Sequence, residues 1–589
     1  MKKVINKKAL ILIATILLLC GRMIYLYNLR CFHFIDEFYS VGFANSKGEP
    51  LFLYYENDEN GNENLKHYQE WCSGNDIREY LTVDENERFD FANVIDNKLQ
   101  DTAPANYEIM IHFVASLFPG TFSWAYSFSV NFVFYIGSLI LVYLISLSIL
   151  RDKKIGFINA YLSLLFFAFS IAGSGAFTFL RMYGVLSFYG LLMMLSIQRL
   201  IMPANKKQGI LFGIILYLSV FLGLFTHTLF VVFAFWLTLF SCLYLFITKK
   251  RIDSVKLGSI VLAALLTFMA VYPFRYNRVE SWMSGENHNG YSFFTRLIFS
   301  NMHMFGESLG FYIPFTYANI LTWSGIALMI FFIMIFICYL FRKEKWFASF
   351  KKRALEIIVS FKKKLSLSVN NISPFFYIIL LTSVAYMLTV TVIAPIGTQY
   401  YVSRYFMIAQ FPTIICFVSM IISFWDSFKG KSRYYVLAFS IAILALLIYR
   451  QNFVYGNPYY FNMPYDNEEE IHKLTTDSDV MIVGNARLNL YNLMVPLRDV
   501  NSFYFTDYHD GVENVDSIPD KKFYIMIARD VFEGEDGVKS VVDGLRLEGT
   551  TEEYIRDFLN KFPGSYSIEK IRTYNSVFAE YDVYSIDIS

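Results

Sequence analysis

Charge is scarce in this sequence. Only 17% of its residues are Asp, Glu, Lys or Arg, where soluble domains carry about a quarter. The formal net charge is +1, which argues against a nucleic-acid partner. Cysteine is sparse as well, with six in 589 residues. No CxxC pair and no Cys/His cluster at ligand spacing is present, so neither a cofactor nor a metal is expected from the pattern. Cys31 and Cys72 fall in or beside one polar loop, where they either pair as a disulfide or stay as separate thiols. No Gly-X-Y, solenoid or heptad repeat is evident.

Apolar residues are abundant. They make up 55% of the chain, with 60 Phe and 43 Tyr, and mean hydropathy is +0.39. In water such a chain would expose large apolar patches, so its solvent is lipid. The expected fold class is an α-helical polytopic membrane protein with about eleven transmembrane helices and a small C-terminal α/β domain outside the cytoplasm.

Lys2, Lys3, Lys7 and Lys8 precede an apolar run from Ala9 to Tyr27. The run is long for a signal peptide, and no small-residue cleavage site follows it, so it reads as an uncleaved first span. Further apolar runs of spanning length lie near 122–150, 155–173, 182–201, 209–226, 228–248, 257–274, 316–341, 373–394, 404–425 and 433–449. Basic residues orient them. Arg151 to Lys154, Lys206-Lys207, Lys249 to Arg251, Arg342 to Lys364 and Lys429 to Arg433 fall on alternate connections. That pattern places the N-terminus inside and the C-terminus outside. The 342–372 connection reads as an amphipathic segment on the anionic inner leaflet.

Two regions follow from this topology: a transmembrane domain over 1–450, whose loop 30–121 is large and extracytoplasmic, and an extracytoplasmic α/β domain over 451–589. A loop near 275–315 also falls outside. Within the first loop, Glu56–Asn64 reads as a mobile acidic tip, and Asn106–Phe118 as a short amphipathic helix near the membrane surface. In the tail, Asp479–Gly484 and Phe523–Ala528 read as buried strands and Thr551–Phe562 as a helix. The turn at Gly484 is read as packing rather than nucleotide binding.

Five polar signals fall at the outer ends of spans. Asp36-Glu37 lies just beyond the first span; adjacent carboxylates at a membrane boundary are costly unless exposed or used. On an extended segment they point opposite ways, so one faces the reaction and the other orients it. Asp101 closes the same loop and doubles as a helix cap. Arg181-Met182-Tyr183 opens a later span, where Arg181 either meets phosphate or snorkels to the interface. Thr226-His227 follows another span, where packing is the more common role for a single His. Arg404-Tyr405 opens a late one. Carboxylates can take a proton from an acceptor hydroxyl, and arginines can hold an anionic leaving group at headgroup level.

In these residues the chain resembles the polytopic glycosyltransferases of the GT-C fold. The likeness is to the protein mannosyltransferase-like and aminoarabinose transferase-like group, glycosyltransferase family 39 and its bacterial relatives, and it covers about 1–450. Asp36-Glu37 matches the family's acidic pair. Asp101-Thr102, Pro104 and Tyr107 match parts of an Asp-Thr-His-Pro-Pro-Leu-Tyr-Tyr-like segment. Arg181-Met182-Tyr183, Thr226-His227 and Arg404-Tyr405 match three further motifs. Ala103 stands where the family has His and Ala105 where it has a second Pro, and no Arg follows Trp124-Ala125-Tyr126 at the family's spacing.

The resemblance implies an inverting transfer of a hexosyl or pentosyl group at the outer membrane face. The donor is a polyprenyl-phosphate sugar; the acceptor is a hydroxyl of an envelope glycan, lipid or protein. Asp36 acts as base with Glu37 beside it, and Asp101 supports the base or acceptor. Arg181 and Arg404 hold the lipid phosphate, with Tyr183, His227 and Tyr405 in the donor site. Some members of the group work without metal, while the oligosaccharyltransferase branch needs a divalent ion; nothing in this sequence forms a metal cage. The competing class is a transporter or flippase of envelope precursors, which inverted repeats and midplane charges would favour; neither is seen. A membrane scaffold leaves the five signals unexplained.

Overall fold

The computed structural model describes residues 7–48, 50–53, 55–57, 63–99, 101, 104–201, 205–272, 293–310, 329, 356, 359, 363–364, 366–393, 404–454, 466–485, 490–508, 512, 515–529, 532, 547, 549–576 and 579–588. Nearly all of the expected span near 316–341, most of the basic 342–372 segment and the tip of the acidic loop lie outside them. The chain divides into two compact units. One comprises Met1–Met23 with Asn131–Tyr459, the other Ile24–Val130 with Tyr460–Ser589.

Among the described residues, nine helices are long and apolar enough to cross a membrane, so the chain is a multi-pass membrane protein. They are Lys8–Asn28, Trp124–Leu147, Tyr183–Ile201, Lys206–Thr226, Phe230–Ile247, Arg251–Val271, Pro374–Ile393, Arg404–Asp426 and Lys431–Phe453. The expected span at 155–173 is instead broken. Lys154–Phe169 bends by 55° into Ile171–Thr178.

The break is built by particular residues. Ser170 is extended, and its hydroxyl accepts from the N–H of Gly173 to start the second helix. A Cβ on Gly173 would lie 1.9 Å from the carbonyl oxygen of Phe167, so only glycine fits there. A broken span must satisfy its liberated backbone groups locally. Gln451 Oε1 accepts from Ile171 N–H at 2.8 Å, Asn452 Nδ2 donates to Phe169 O at 2.9 Å, and Arg22 Nη1 donates to Ala168 O at 2.8 Å. Downstream, Asn131 Nδ2 donates to Phe179 O at 2.8 Å and Phe177 O at 3.3 Å, supporting the turn that carries Arg181.

The second unit is built on a sheet. Two short strands, β1 (Tyr55–Asn57) and β2 (Glu63–Leu65), pair as a hairpin. Six others form one sheet: β3 (Trp71–Ser73), β4 (Asp479–Gly484), β5 (Ser502–Asp507), β6 (Phe523–Ala528), β7 (Tyr566–Asn575) and β8 (Glu580–Ile588), in the order β3-β5-β4-β6-β8-β7. β5, β4 and β6 are parallel and the flanking strands antiparallel. The parallel centre explains the unbroken apolar runs of β4 and β6. Met481, Val483, Ile525 and Ile527 pack there with Ile555, Phe558 and Leu559 of helix Thr551–Leu559. That helix starts on a capping box formed by Thr550 and Glu553. The edge strand β3 comes from the first loop.

Candidate functional site

Asp36 and Glu37 do not sit on an extended segment. They occupy the first turn of helix Ile35–Asn45, where carboxylates complement the helix dipole, and neighbouring side chains there diverge by about 100°. Their environments differ. Glu37 is fully buried; its Oε2 accepts from Arg30 Nη2 at 2.7 Å and from the N–H of Phe34 at 2.7 Å. It therefore caps its own helix and neutralises Arg30. Asp36 is half-buried on the same turn, and its charge helps burial and Tyr491 hold the Tyr39 hydroxyl above its ordinary range.

Asp101 does not cap the following helix. Helix Asn106–Ala115 begins after Ala105 with no side-chain cap. Asp101 instead forms an ion pair with Lys98, whose ammonium is buried and also lies 3.5 Å from Glu108. Glu108 in turn accepts from Ser40 at 3.5 Å, and Lys98 sits 4.6 Å from the centre of the Phe43 ring. Ser40 and Phe43 belong to the helix that carries Asp36. The two ends of the first loop are thereby linked within one unit by Lys98 and Glu108, which sequence reasoning missed.

The other five candidates lie in the first unit. Arg181 is buried in the non-helical turn between Thr178 and Tyr183. Tyr183 is the hub. Its ring stacks with Phe179 at 6.1 Å between centroids, lies 5.6 Å from the His227 ring and 6.5 Å, edge-on, from Tyr405. His227 ends helix Lys206–Thr226, and its Nδ1 accepts from Leu229 N–H at 3.0 Å. A neutral imidazole that accepts at Nδ1 carries its hydrogen on Nε2 and can donate there. Arg404 lies 5.2 Å from the centre of the Tyr405 ring and donates to its hydroxyl at 3.3 Å. Tyr386, another residue not anticipated, is fully buried and donates to the carbonyl of Tyr405 at 2.8 Å. Thr102 and Ala103 lie outside the described residues.

A further buried polar cluster went unnoticed in the sequence. His303 Nδ1 is 3.1 Å from Glu307 Oε1, and Gln410 Nε2 donates to Glu307 Oε2 at 3.0 Å and to His303 O at 2.8 Å. The i,i+4 spacing of His303 and Glu307 was the available signal. Cys31 and Cys72 are separate thiols and form no disulfide.

Spanning helices together with a small sheet domain define a polytopic membrane protein. No family model and no curated protein matches the chain. Among solved structures it is similar to ArnT from Cupriavidus metallidurans in the apo state, at 9% identity and TM-score 0.45, over 98% of this chain and 97% of that one. It is similar to ArnT bound to undecaprenyl phosphate at 11% identity and TM-score 0.37, over the same 98% and 97%. The Archaeoglobus fulgidus oligosaccharyltransferase in complex with Zn and sulfate gives 11% identity and TM-score 0.45, over 96% of this chain and 73% of that one.

Proposed function

We propose that the chain is a membrane glycosyltransferase. It transfers a sugar from a polyprenyl-phosphate-linked donor to an acceptor hydroxyl of an envelope glycan, lipid or protein, at the outer face of the membrane. The observation that carries this reading is the gathering of Tyr183, His227 and Tyr405 from three separate helix ends, flanked in sequence by Arg181 and Arg404. Two guanidiniums beside a wall of aromatic rings and an imidazole donor suit a sugar phosphate: rings pack on the pyranose, and planar forks of N–H groups take phosphate oxygens.

The reaction follows in one displacement. Asp36 accepts the proton of the acceptor hydroxyl, whose oxygen attacks the anomeric carbon. The bond from that carbon to the phosphate oxygen breaks, and the lipid phosphate departs with the electron pair. Arg181 and Arg404 neutralise the charge it gains. Glu37 holds the helix that carries Asp36, and Asp101 supports the same helix through Lys98 and Glu108. Every step is assigned to side chains and none to a cofactor.

Incubating the purified protein with a panel of polyprenyl-phosphate sugars and candidate acceptors tests the reading. Release of lipid phosphate with transfer of the sugar supports it. Movement of intact donor across a vesicle membrane without release would identify a flippase instead.

A further inference from the structure

Three side chains of metal-ligating type, between Asp36 and Asp101 in sequence, meet at the edge of the sheet in the second unit. Cys72 lies on β3, Asp76 in the first turn of helix Gly74–Leu81, and His67 just ahead of the strand. One ligand atom from each lies within 4.8 Å of the others, and His67 Nδ1 is 3.8 Å from an Asp76 carboxylate oxygen. His67 and Cys72 are buried.

The scaffold holds these groups in place. The His67 ring stacks on Phe52 with centroids 4.4 Å apart, and Cys72 is held opposite Phe503 by the pairing of β3 with β5. His67 and Gln69 both take left-handed backbone, with φ of 58° and 57°. Non-glycine residues adopt that conformation only where the surrounding structure imposes it. Here it turns the chain back so that the imidazole faces Asp76. Helix Gly74–Leu81 can start this close to the sheet because position 74 is glycine; a Cβ there would lie 1.8 Å from the carbonyl oxygen of Val500.

We propose that His67, Cys72 and Asp76 bind a divalent cation of the zinc class, with water in the fourth position. Sulfur, imidazole nitrogen and carboxylate oxygen are the donor set zinc takes. In a tetrahedral zinc site neighbouring ligand atoms stand roughly 3.3–3.5 Å apart, given bonds of about 2.0–2.3 Å. The three ligand atoms, within 4.8 Å of one another, close by roughly 1 Å on binding.

Local electrostatics favour a cation. The carboxylates of Glu70 and Asp76 both act on the position of the Cys72 sulfur, with Lys66 the opposing charge. Two carboxylates attract a dication, and a bound dication holds the coordinating sulfur as thiolate. On binding, the metal–sulfur bond forms as the S–H bond breaks, and the proton leaves to solvent. The expected absence of a metal cluster rested on sequence spacing; the fold assembles one that spacing does not announce. Its ligands have no role in the proposed glycosyl transfer, so the two readings stand separately.

The test is to strip full-length protein with a chelator and titrate it with cobalt(II), then displace the cobalt with zinc. One equivalent should give a sulfur-to-cobalt charge-transfer band, released by zinc and missing in Cys72→Ser. Asp76→Asn should bind at least tenfold more weakly, the usual scale for a lost ligand or supporting group. Should Cys72→Ser fail to fold, the wild-type protein still decides: one equivalent of zinc should slow alkylation of Cys72 at least tenfold without protecting Cys31. A wild-type protein with no charge-transfer band and an unprotected Cys72 overturns the proposal, as does a band that persists in a folded Cys72→Ser variant.

Discussion

His33 and Glu468 are 435 residues apart in sequence, and their side chains are 2.8 Å apart in the fold. Trp124 joins them, donating from Nε1 to the same Glu468 oxygen at 3.0 Å and stacking on the His33 ring with centroids 4.0 Å apart. The backbone N–H of Glu468 also donates to Cys31 O at 2.9 Å. This cluster ties the first helix of the tail, Glu468–Thr475, to the segment that follows the first span.

The cluster predicts acid sensitivity. Burial and then Arg30 hold the His33 imidazole below its ordinary value of 6.5, against Glu468 and Glu37. For Glu468, burial alone would raise the carboxyl. The His33 contact, the Trp124 hydrogen bond and Arg30 outweigh it and hold the group below its ordinary 4.5. Both shifts give the unfolded chain the greater proton uptake in acid, so stability falls with pH. The loss should begin below about pH 6.5 through His33 and steepen below about pH 4.5 through Glu468. Thermal unfolding from pH 7.5 to 4 should show this, and His33→Asn should flatten the part between pH 7 and 5.

Lys98 is the next test. Lys98→Met leaves Glu108 buried without its cation, and breaking a buried pair on one side costs about 3–5 kcal/mol. The double variant Lys98→Met with Glu108→Leu should recover most of that loss. Chemical denaturation of the three proteins measures it.

Arg181 and Arg404 distinguish anchoring from chemistry. If they only reach the interface, lysine serves equally well. If they clamp phosphate, a point charge replaces a planar fork, and Arg181→Lys should lower kcat and raise KM for a polyprenyl-phosphate sugar while the protein stays folded. The expected loss is tenfold or more, on the order of 1.4 kcal/mol of transition-state stabilisation. Wild-type kinetics in both lysine variants would make the arginines interface anchors.

Orientation is a separate prediction. The alternation of basic connections predicts that the tail lies outside the cytoplasm. A C-terminal alkaline phosphatase fusion should be active and a cytoplasmic fluorescent reporter dark; the reverse would invert the topology.

What could be read in advance follows physical range. Spans such as Tyr183–Ile201 and strands such as Asp479–Gly484 and Phe523–Ala528 were legible because unbroken apolar runs are local signals. The bend after Phe169 was not, because the run stays apolar across it and two of the groups that satisfy it, Gln451 and Asn452, come from 280 and 283 residues further along the chain. β3 was hidden for the same reason, since its partner β5 lies over 400 residues away. Asp101 carried a cap signal, yet Lys98 three residues earlier claims it. Asp36-Glu37 read as extended because Phe34 is no capping residue; Glu37 supplies the cap itself. The grouping of Tyr183, His227 and Tyr405 was suggested only by motif order and shared membrane side.

The division of labour between Asp36 and Glu37 tests the central claim most directly. Turnover of wild type, Asp36→Asn and Glu37→Gln should be measured with a polyprenyl-phosphate sugar, alongside the thermal stability of each. The account predicts that Asp36→Asn keeps its stability and loses roughly a hundredfold or more in turnover, the scale of a positioned general base. Glu37→Gln should lose stability by about 3–5 kcal/mol, because the buried Arg30 side chain loses the carboxylate it meets at 2.7 Å. A folded Asp36→Asn protein that releases lipid phosphate at the wild-type rate would contradict the account.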